Sequence, residues 1–332
     1  MRHSDTIGVL GAGSWGTALG LVLARNGYRV HLWGHNPAHI ARLSRERTNS
    51  RYLPGATLPQ GLQPIADLGT ALSGVRDVLV VVPSAVFSQV LKQIAPLLAQ
   101  SARIAWATKG LEAGDPLHCA AERILPSRSL AVLSGPSFAS EVAKGLPTAV
   151  TLASQDAAFA HELAGAFHNA SFRVYTSDDV LGVELGGAVK NVLAIATGIA
   201  DGLGMGANAR AGLITRGLAE LRRLGQAMQA RPETFMGLSG VGDLILTCTD
   251  DQSRNRRMGL ALGRGLQATA ALAQIGQTVE GLQTTADVYR LASKMGVEMP
   301  ICEQVHLVLS HHLSAAQAAD NLMLRERKAE LD

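Results

Sequence analysis

The sequence contains few cysteines, little net charge and no long apolar run. Three of its 332 residues are cysteines, and Cys119, Cys248 and Cys302 lie far apart, without the spacing of a metal site or of a disulfide framework. Scattered, unpaired cysteines are typical of reduced thiols. The sequence therefore predicts a cytoplasmic protein that holds no metal.

Charge and hydropathy exclude two further classes of protein. The formal net charge of +3 is too small to indicate a nucleic-acid partner, although it is compatible with a local cationic site for a small anion. Without an apolar run of about 18 residues, no transmembrane helix is predicted. Met1–Thr6 leads directly into the first apolar run, which leaves no room for a signal peptide.

What the sequence does contain, close to its start, is a glycine motif. The apolar run Ile7–Leu10 is followed by three glycines, spaced G-x-G-x-x-G, and by a segment of helical composition, 14–26. Gly11 permits a tight turn, Gly13 lets a phosphate approach the backbone, and Gly16 lets the helix pack closely on the strand. The pattern predicts a site where the helix N-terminus binds the pyrophosphate of a dinucleotide.

The second predicted strand, Val30–Trp33, ends without an acidic residue. In NAD-selective sites an Asp or Glu at this place binds the ribose 2′-hydroxyl, whereas here the chain continues Gly-His-Asn. No carboxylate there would repel a 2′-phosphate, and His35, Arg42 and Arg51 could donate to one. We therefore expect NADPH or NADH as the cofactor, with NADPH favoured. The alternative for His35 is an ordinary histidine of a surface loop.

Later strands of the first part end in polar turns. The run Val78–Val82 is typical of a strand buried on both faces of a parallel sheet. Ligands bind beyond the carboxyl ends of such strands, which places Lys109, after the strand Ile104–Ala107, near a ligand; the alternative is a solvated lysine. The turn Ser134–Ala139 could offer N–H groups and a hydroxyl, or be a plain helix start. The segment Asn49–Gly61, rich in proline and glycine, predicts a loop.

The composition of the sequence changes after Thr176. From Asp178 onward it is rich in Ala, Leu and Gly with helical periodicity, and it lacks a convincing strand. Because 332 residues exceed the usual size of one domain, we predict two. These are an α/β domain with a Rossmann-type fold over residues 1–177 and an all-α domain over residues 178–332.

Two charged residues of the second part lie among small ones. On its first predicted helix Lys190 has glycine, alanine and threonine as helical neighbours, so a ligand could approach it. Poor hydration there would favour the neutral amine, which suits proton transfer; the alternative is a lysine that extends to solvent. Asp243 follows a glycine-rich turn, where its carboxylate could bind hydroxyls, orient a lysine, or cap the following helix.

The segment Ser253–Arg257 is predicted to bind a phosphate. Guanidinium groups, a serine hydroxyl and an asparagine amide precede a predicted helix, 258–262. A basic run is usually a solvated face, but cations are not otherwise favoured at the positive end of a helix. The segment therefore favours a phosphorylated small molecule as the substrate.

Over essentially its whole length the chain resembles the bacterial NAD(P)-dependent sn-glycerol-3-phosphate dehydrogenases. The segments that carry the resemblance are Gly11–Ala18, Ala107–Gly110, Ser134–Ala139, Val189–Asn191, Gly240–Leu244 and Ser253–Asn255. The first is shared with many dehydrogenases, whereas the last three, in this order and spacing, are more specific. The resemblance implies reduction of dihydroxyacetone phosphate to sn-glycerol 3-phosphate for glycerophospholipid synthesis, by a Rossmann domain and a helical domain in a homodimer.

The same resemblance implies roles for the matching residues. Lys190 is expected to transfer the proton, and Lys109 and Arg254 are expected to contact both ligands. The implied substrate contacts are Lys109, Gly135, Ser137, Lys190, Asp243, Ser253, Arg254 and Asn255. The implied cofactor contacts are Gly11, Gly13, Ser14, Trp15, Gly16, His35, Lys109, Ala139, Arg254, Thr278 and Glu280, with Arg51 and Tyr52 as further candidates for the adenosine end.

Two other functions are compatible with the residues. Dehydrogenases of 6-phosphogluconate and of β-hydroxy acids also pair a Rossmann domain with a helical one and use a lysine, and the sequence does not show the length of the substrate. A nucleotide-sensing protein would bind NADPH without oxidising it on any ketone, since fold does not determine function.

Overall fold

The strands of the first part of the chain form a sheet with helices on both faces. The structure, a computed structural model, describes residues 6–326. Within this range the strands are β1 (Thr6–Leu10), β2 (Arg29–Trp33), β3 (Thr48–Asn49), β4 (Leu53–Thr57), β5 (Leu62–Ile65), β6 (Val75–Val80), β7 (Arg103–Trp106), β8 (Leu111–Glu112), β9 (Asp115–Pro116), β10 (Leu130–Ser134), β11 (Thr148–Ala153) and β12 (Phe172–Ser177). The helices are α1 (Ser14–Arg25), α2 (Pro37–Glu46), α3 (Leu68–Leu72), α4 (Phe87–Ile94), α5 (Leu117–Ile124), α6 (Ala139–Lys144), α7 (Ala157–Phe167), α8 (Val180–Gly202), α9 (Gly206–Ala227), α10 (Pro232–Phe235), α11 (Asp243–Thr249), α12 (Arg254–Gly263), α13 (Ala268–Ile275), α14 (Glu280–Met295), α15 (Pro300–Leu309) and α16 (Ala315–Met323).

Parallel pairing around β1 determines the topology. In the part of the chain that the structure describes, eight strands form one sheet in the order β12-β11-β10-β7-β6-β1-β2-β5. Neighbouring strands from β10 to β5 run parallel, whereas β11 runs antiparallel to β10. Successive residues face opposite sides of the sheet, so Val9 packs in one core and Leu10 in the other. Burial on both faces explains the continuous apolar runs of these strands.

This topology positions several turns at one edge of the sheet. Because β1, β2, β6, β7 and β10 are parallel, their carboxyl ends point to the same edge, where open α/β sheets bind ligands. The turns that begin at Gly11, Gly34, Ala107 and Gly135 follow four of these strand ends. The predicted α/β fold of the Rossmann type is confirmed.

One predicted loop is wrong, and several bounds shift. The segment Asn49–Gly61 contains β4, which forms a hairpin with β3, because Leu53 and Ala56 are buried in the core. The strand β5 was not predicted; it contains Pro64 and lies at the edge of the sheet, where a missing N–H can face away from the neighbouring strand. The strand predicted over Val78–Val82 begins and ends earlier, as β6.

The second part of the chain is helical. Among the described residues after β12, every regular element is a helix, as the all-α prediction requires. The sequence has no uninterrupted apolar run of about 18 residues, yet α8 is long and apolar enough to cross a membrane by length and composition alone. However, 94% of its most apolar window is buried inside the protein, as in the core helix of a globular domain.

The chain divides within α8. Over the described residues it forms two compact units, which meet in sequence between Glu184 and Leu185. Val180 and Val183, in the first turn of α8, pack in the core of the first unit. The division predicted between residues 177 and 178 stays a prediction, and the outer ends of the two predicted domains, 1–5 and 327–332, lie outside the described residues.

Candidate active site

The three glycines of the first motif have different surroundings. Gly11 adopts a φ of +130°, and a Cβ placed on it would lie 2.2 Å from the carbonyl oxygen of Val81. A Cβ on Gly16 would lie 1.9 Å from the carbonyl oxygen of Gly11, whereas a Cβ on Gly13 would meet no described atom within 4 Å. Gly11 and Gly16 are therefore required for packing, and Gly13 faces open space. The turn fits a pyrophosphate that approaches the backbone at Gly13.

The start of α1 is suited to an anion. The helix begins at Ser14 with Gly13 as its N-cap, and its described first turn contains no acidic side chain. The first N–H groups of a helix have no intrahelical acceptor, and the helix dipole favours negative charge there. The indole Nε1 of Trp15 is also buried without a hydrogen-bond partner among the described residues. The role of Ser14 and Trp15 as cofactor contacts stays a prediction, with which these donors are compatible.

Cationic and aromatic side chains follow β2. His35 is exposed, as expected of a loop residue, and the Asn36 side chain caps α2 by accepting from the backbone N–H of His39. Burial lowers the pKa of His39, and the nearby charges of Arg42, Arg51 and His35 lower it further, against the opposing hydrogen bond to a backbone carbonyl. Arg42 and Arg51 therefore lie close enough to His39, on the helix that follows β2, to disfavour a positive charge on its ring.

Lys109 and the turn after β10 lie together. The Lys109 Nζ donates to the carbonyl oxygen of Gly135 at 3.1 Å, and the Ser137 hydroxyl donates to the same oxygen at 2.9 Å. Gly135 adopts a φ of +143°, and a Cβ there would lie 3.0 Å from the Cα of Val150. Only glycine therefore fits this turn, which α6 continues from Ala139. The structure brings these predicted site residues of the first unit into one cluster.

In the second unit Lys190 is buried and paired. Its Nζ lies 2.6 Å from the Asp243 carboxylate and 3.0 Å from the Thr247 hydroxyl, and the residue is 7% exposed. The alternative in which Lys190 extends to solvent is wrong. Thr247 was not predicted, although its position one turn after Asp243 on α11 is a signal that the sequence does contain.

A close backbone contact makes this pair possible. A Cβ on Gly186 would lie 2.2 Å from the carbonyl oxygen of Ser239, so α8 and the turn that carries Asp243 touch at a glycine one turn before Lys190. Asp243 is the first residue of α11, and Gly242, not Asp243, is the N-cap. The structure thus shows Asp243 in contact with the lysine and excludes its role as a helix cap.

Asparagines join three helices of the second unit. The Asn255 amide donates to the Asn191 side-chain oxygen at 2.8 Å and accepts from the Gly281 N–H at 2.9 Å. The other amide atom of Asn191, Nδ2, is buried without a hydrogen-bond partner in the described chain. A Cβ on Gly198 would lie 2.2 Å from the carbonyl oxygen of Arg256, so α8 and α12 approach through a glycine.

Two arginines of the basic segment Ser253–Arg257 differ in their burial and in their partners. The helix predicted over 258–262 begins earlier, at Arg254, because the Ser253 hydroxyl caps it by accepting from the Arg256 N–H. Arg256 is buried and paired with Asp201 at 2.5 Å and Asp251 at 2.9 Å, so it is structural. Arg254 is half-buried and donates to the carbonyl oxygen of Thr278 at 2.8 Å.

The last two predicted cofactor contacts lie at or just before the start of α14. Thr278 is exposed, and Glu280 is the half-buried first residue of α14.

Four of the predicted substrate contacts are buried, namely Lys190, Asp243, Ser253 and Asn255. Within residues 6–326, no group of three or more His, Cys, Asp or Glu side chains is arranged to hold a metal ion.

A Rossmann-type sheet with a glycine cradle, followed by a helical unit with a buried lysine, defines a dinucleotide-dependent dehydrogenase. The chain belongs to the NAD-dependent glycerol-3-phosphate dehydrogenase family. The model of the family's N-terminal part matches residues 6–160, and that of its C-terminal part matches residues 179–320.

Relatives and solved structures agree with this assignment. The chain is 57% identical over 322 residues to the glycerol-3-phosphate dehydrogenase [NAD(P)+] of Alkalilimnicola ehrlichii, covering 96% of this chain and 97% of that one. It is 58% identical over 327 residues to that of Thioalkalivibrio sulfidiphilus, covering 98% of each. The crystal structure of glycerol-3-phosphate dehydrogenase from Coxiella burnetii matches with a TM-score of 0.95 and 50% identity, over 97% of this chain and 99% of that one. A D-mandelate dehydrogenase, at 16% identity and a TM-score of 0.66, shares the fold alone.

Proposed function

We propose that the protein catalyses the NAD(P)H-dependent interconversion of dihydroxyacetone phosphate and sn-glycerol 3-phosphate. The observation that carries the proposal is the buried Lys190 ammonium held by Asp243 and Thr247, in a chain whose relatives at 57% and 58% identity are named for this reaction. The product is a precursor of glycerophospholipids, and the same proposal places the enzyme at the entry to their synthesis.

Lys190 is the proposed proton-transfer residue. When bound, the reduced nicotinamide supplies the hydride to the C2 carbonyl carbon. Lys190 then gives a proton from Nζ to the C2 oxygen, and in the reverse direction it removes that proton. Asp243 and Thr247 hold Nζ in one place, so that little motion is needed for proton transfer.

The other predicted substrate contacts would hold the ends of the molecule. Ser253, Arg254 and Asn255, at the start of α12, are proposed to bind the phosphate, because a helix N-terminus and a guanidinium both favour an anion. Lys109, Gly135 and Ser137, which already form one cluster, are proposed to contact the substrate as well. Binding energy from the phosphate fixes the carbon that reacts.

The predicted cofactor contacts are proposed as well. Gly11, Gly13, Ser14, Trp15 and Gly16 would bind the pyrophosphate, and Lys109, Ala139, Arg254, Thr278 and Glu280 are further proposed contacts. His35, with Arg42 and Arg51, would bind a 2′-phosphate, which favours NADPH over NADH.

Replacing Arg51 by Ala should lower kcat/KM for NADPH more than for NADH; an equal loss for both cofactors would count against this preference.

The reaction is tested by the loss of nicotinamide absorbance when dihydroxyacetone phosphate is added to the purified enzyme with NADPH, and again with NADH. Rapid loss establishes the reaction, and the ratio of the two rates gives the cofactor preference. If NADPH binds but is not oxidised, a panel of hydroxy acids and sugar acids distinguishes another dehydrogenase from a nucleotide sensor.

We also propose a homodimer in the cytoplasm. The three described cysteines are unpaired, and Cys248 and Cys302 are buried, as expected in a reducing compartment. Exposed apolar side chains on α16 and just after it, Met323 and Leu324, are suited to contact between subunits. Light scattering after size exclusion should give twice the mass of the chain, and a monomeric mass would exclude the dimer.

A further inference from the structure

Two buried side chains from outside the glycine motif hold one of its carbonyl groups. The carbonyl oxygen of Ala12 accepts from the Asn49 amide at 3.1 Å and lies 3.3 Å from Nε2 of His39. Because a carbonyl oxygen can only accept, Nε2 of His39 carries the hydrogen. Asn49 is fully buried and His39 is 7% exposed. The Ala12 carbonyl is therefore fixed from two sides, by α2 and by the β3–β4 hairpin.

We propose that His39 and Asn49 are positioning residues for the cofactor, which orient the peptide between Ala12 and Gly13; this inference rests on the proposed cofactor site. In a trans peptide the C=O and the following N–H point in opposite directions. Anchoring the Ala12 oxygen therefore directs the Gly13 N–H away from the two side chains. Gly13 is the residue of the motif where a Cβ would meet no described atom within 4 Å, so the backbone at this peptide borders open space.

The hydrogen bonds that hold the Ala12 carbonyl extend to α1, the helix proposed to bind the pyrophosphate. The Asn49 amide also donates to the Thr17 hydroxyl on α1 at 2.8 Å, so one side chain joins the turn, the helix and the hairpin. The His39 ring also packs against the ring of Tyr52 in a T-shaped arrangement, with 5.1 Å between ring centres and an angle of 86° between the ring planes. These packed contacts keep the Gly13 N–H in one orientation before the cofactor binds. Less conformational entropy is then lost on binding.

His39 is suited to this role because its surroundings favour the neutral form of the ring. Burial lowers its pKa, and the charges of Arg42, Arg51 and His35 act in the same direction. Its second nitrogen, Nδ1, is buried without a hydrogen-bond partner among the described residues. The ring therefore contributes one hydrogen bond, to Ala12, and leaves the binding of anionic groups to the arginines.

The test compares two replacements of His39 in the full-length enzyme. Gln places an amide donor close to the position of Nε2, whereas Phe keeps the ring and removes the donor. His39→Phe should raise the Kd for NADPH about tenfold, as expected for the loss of one buried hydrogen bond, and His39→Gln should stay within about twofold of wild type. Kd is measured by calorimetry on the enzyme without substrate, and the KM for NADPH should rise more than kcat falls.

A matched control is His31→Phe. Nδ1 of His31 bonds a backbone carbonyl, that of Ala71, at 3.0 Å in the same unit, and His31 pairs with Gly8, which precedes the motif. This variant should bind NADPH like wild type even if its Tm falls. Asn49→Leu provides a second test if His39→Phe does not fold, and it should also weaken NADPH binding.

The results separate this inference from the proposed function. If wild type does not bind NADPH, the proposed function fails. If wild type binds NADPH and a folded His39→Phe or Asn49→Leu variant binds it equally well, the two residues are only structural and the inference is overturned. Equal weakening by His31→Phe would overturn it as well, because the effect would then reflect loss of stability.

Discussion

At the residue scale, the proposed chemistry depends on charges that are buried and paired. Lys190 and Asp243 are 7% and 1% exposed, and each would be strongly destabilised in the interior without the other. A buried ion pair contributes little net stability, because desolvation offsets the attraction of the charges. Its presence is therefore better explained by function than by folding.

Removal of the lysine should affect turnover more than cofactor binding. Lys190→Ala should lower kcat by about 10²–10⁴-fold, the usual contribution of general acid catalysis, and leave the Kd for NADPH nearly unchanged. Steady-state kinetics and calorimetry measure the two quantities. Because the variant leaves Asp243 buried without its partner, the control is the double variant Lys190→Met/Asp243→Asn, which removes both charges. An equal loss of kcat and of NADPH affinity in that variant would show that Lys190 is structural.

At the element scale, glycines decide how closely the helices approach. At Gly186, Gly198 and Gly259 a Cβ would lie 2.1 to 2.2 Å from a carbonyl oxygen of the neighbouring segment. The candidate site residues of α8, α11 and α12 therefore meet because backbones touch at glycines one or two turns away. Substitution at such a glycine should damage both stability and catalysis.

Gly186 provides the direct test of this packing. Gly186→Ala should push the turn at Ser239 away from α8, separate Asp243 from Lys190, and lower both Tm and kcat. The matched control is Gly165→Ala in the exposed face of α7, where a Cβ would meet no described atom within 4 Å. That variant should be more stable by about 0.5–1 kcal/mol, because alanine favours the helix. Unchanged kcat in a folded Gly186→Ala variant would contradict the expectation.

The N-terminus of α15 is held by a buried carboxyl group. Glu220 accepts from the N–H groups of Ile301 at 2.6 Å and Cys302 at 3.2 Å. Burial raises the pKa of Glu220 from 4.5 to about 7, despite these two hydrogen bonds. Between these two values the folded state binds more protons than the unfolded state, so this group makes stability fall as pH rises.

A glutamine at this position should remove that part of the pH dependence. Glu220→Gln cannot ionise, and it loses one of the two hydrogen bonds because an amide nitrogen does not accept. The free energy of unfolding of wild type minus that of the variant should therefore be larger at about pH 5 than at about pH 8. Urea unfolding at both pH values measures the difference. If the difference between wild type and variant is the same at both, Glu220 does not change its charge in this range.

At the scale of the whole molecule, cofactor binding should be linked to stability. A ligand that binds only the folded state stabilises it, by about 2.7 kcal/mol at a hundred times its Kd. NADPH should therefore raise the Tm of wild type by several degrees. Gly13→Ala should fold with a loss of at most about 1 kcal/mol at the helix cap, yet lose the shift, because its methyl group fills the space open to the pyrophosphate. A shift equal to that of wild type would place the pyrophosphate elsewhere.

The sequence by itself determined the first strand, turn and helix, the other buried strands of the sheet, and most candidate residues. The strand–glycine–helix pattern at Gly11–Gly16 and the apolar runs of the sheet are local, because they depend on period and on backbone freedom. The small neighbours of Lys190 on its own helix were visible for the same reason. These features predicted the α/β fold, the helical second part and the dinucleotide turn.

Only the tertiary structure decided which side chains meet. The hairpin of β3 and β4 forms because Leu53 and Ala56 are buried in a core to which strands distant in sequence contribute. Thr247 beside Lys190, Arg256 beside Asp201, and His39 with Asn49 at the Ala12 carbonyl are contacts between residues far apart in sequence. Such contacts depend on how elements pack, and a linear pattern carries periodicity but no distances between elements.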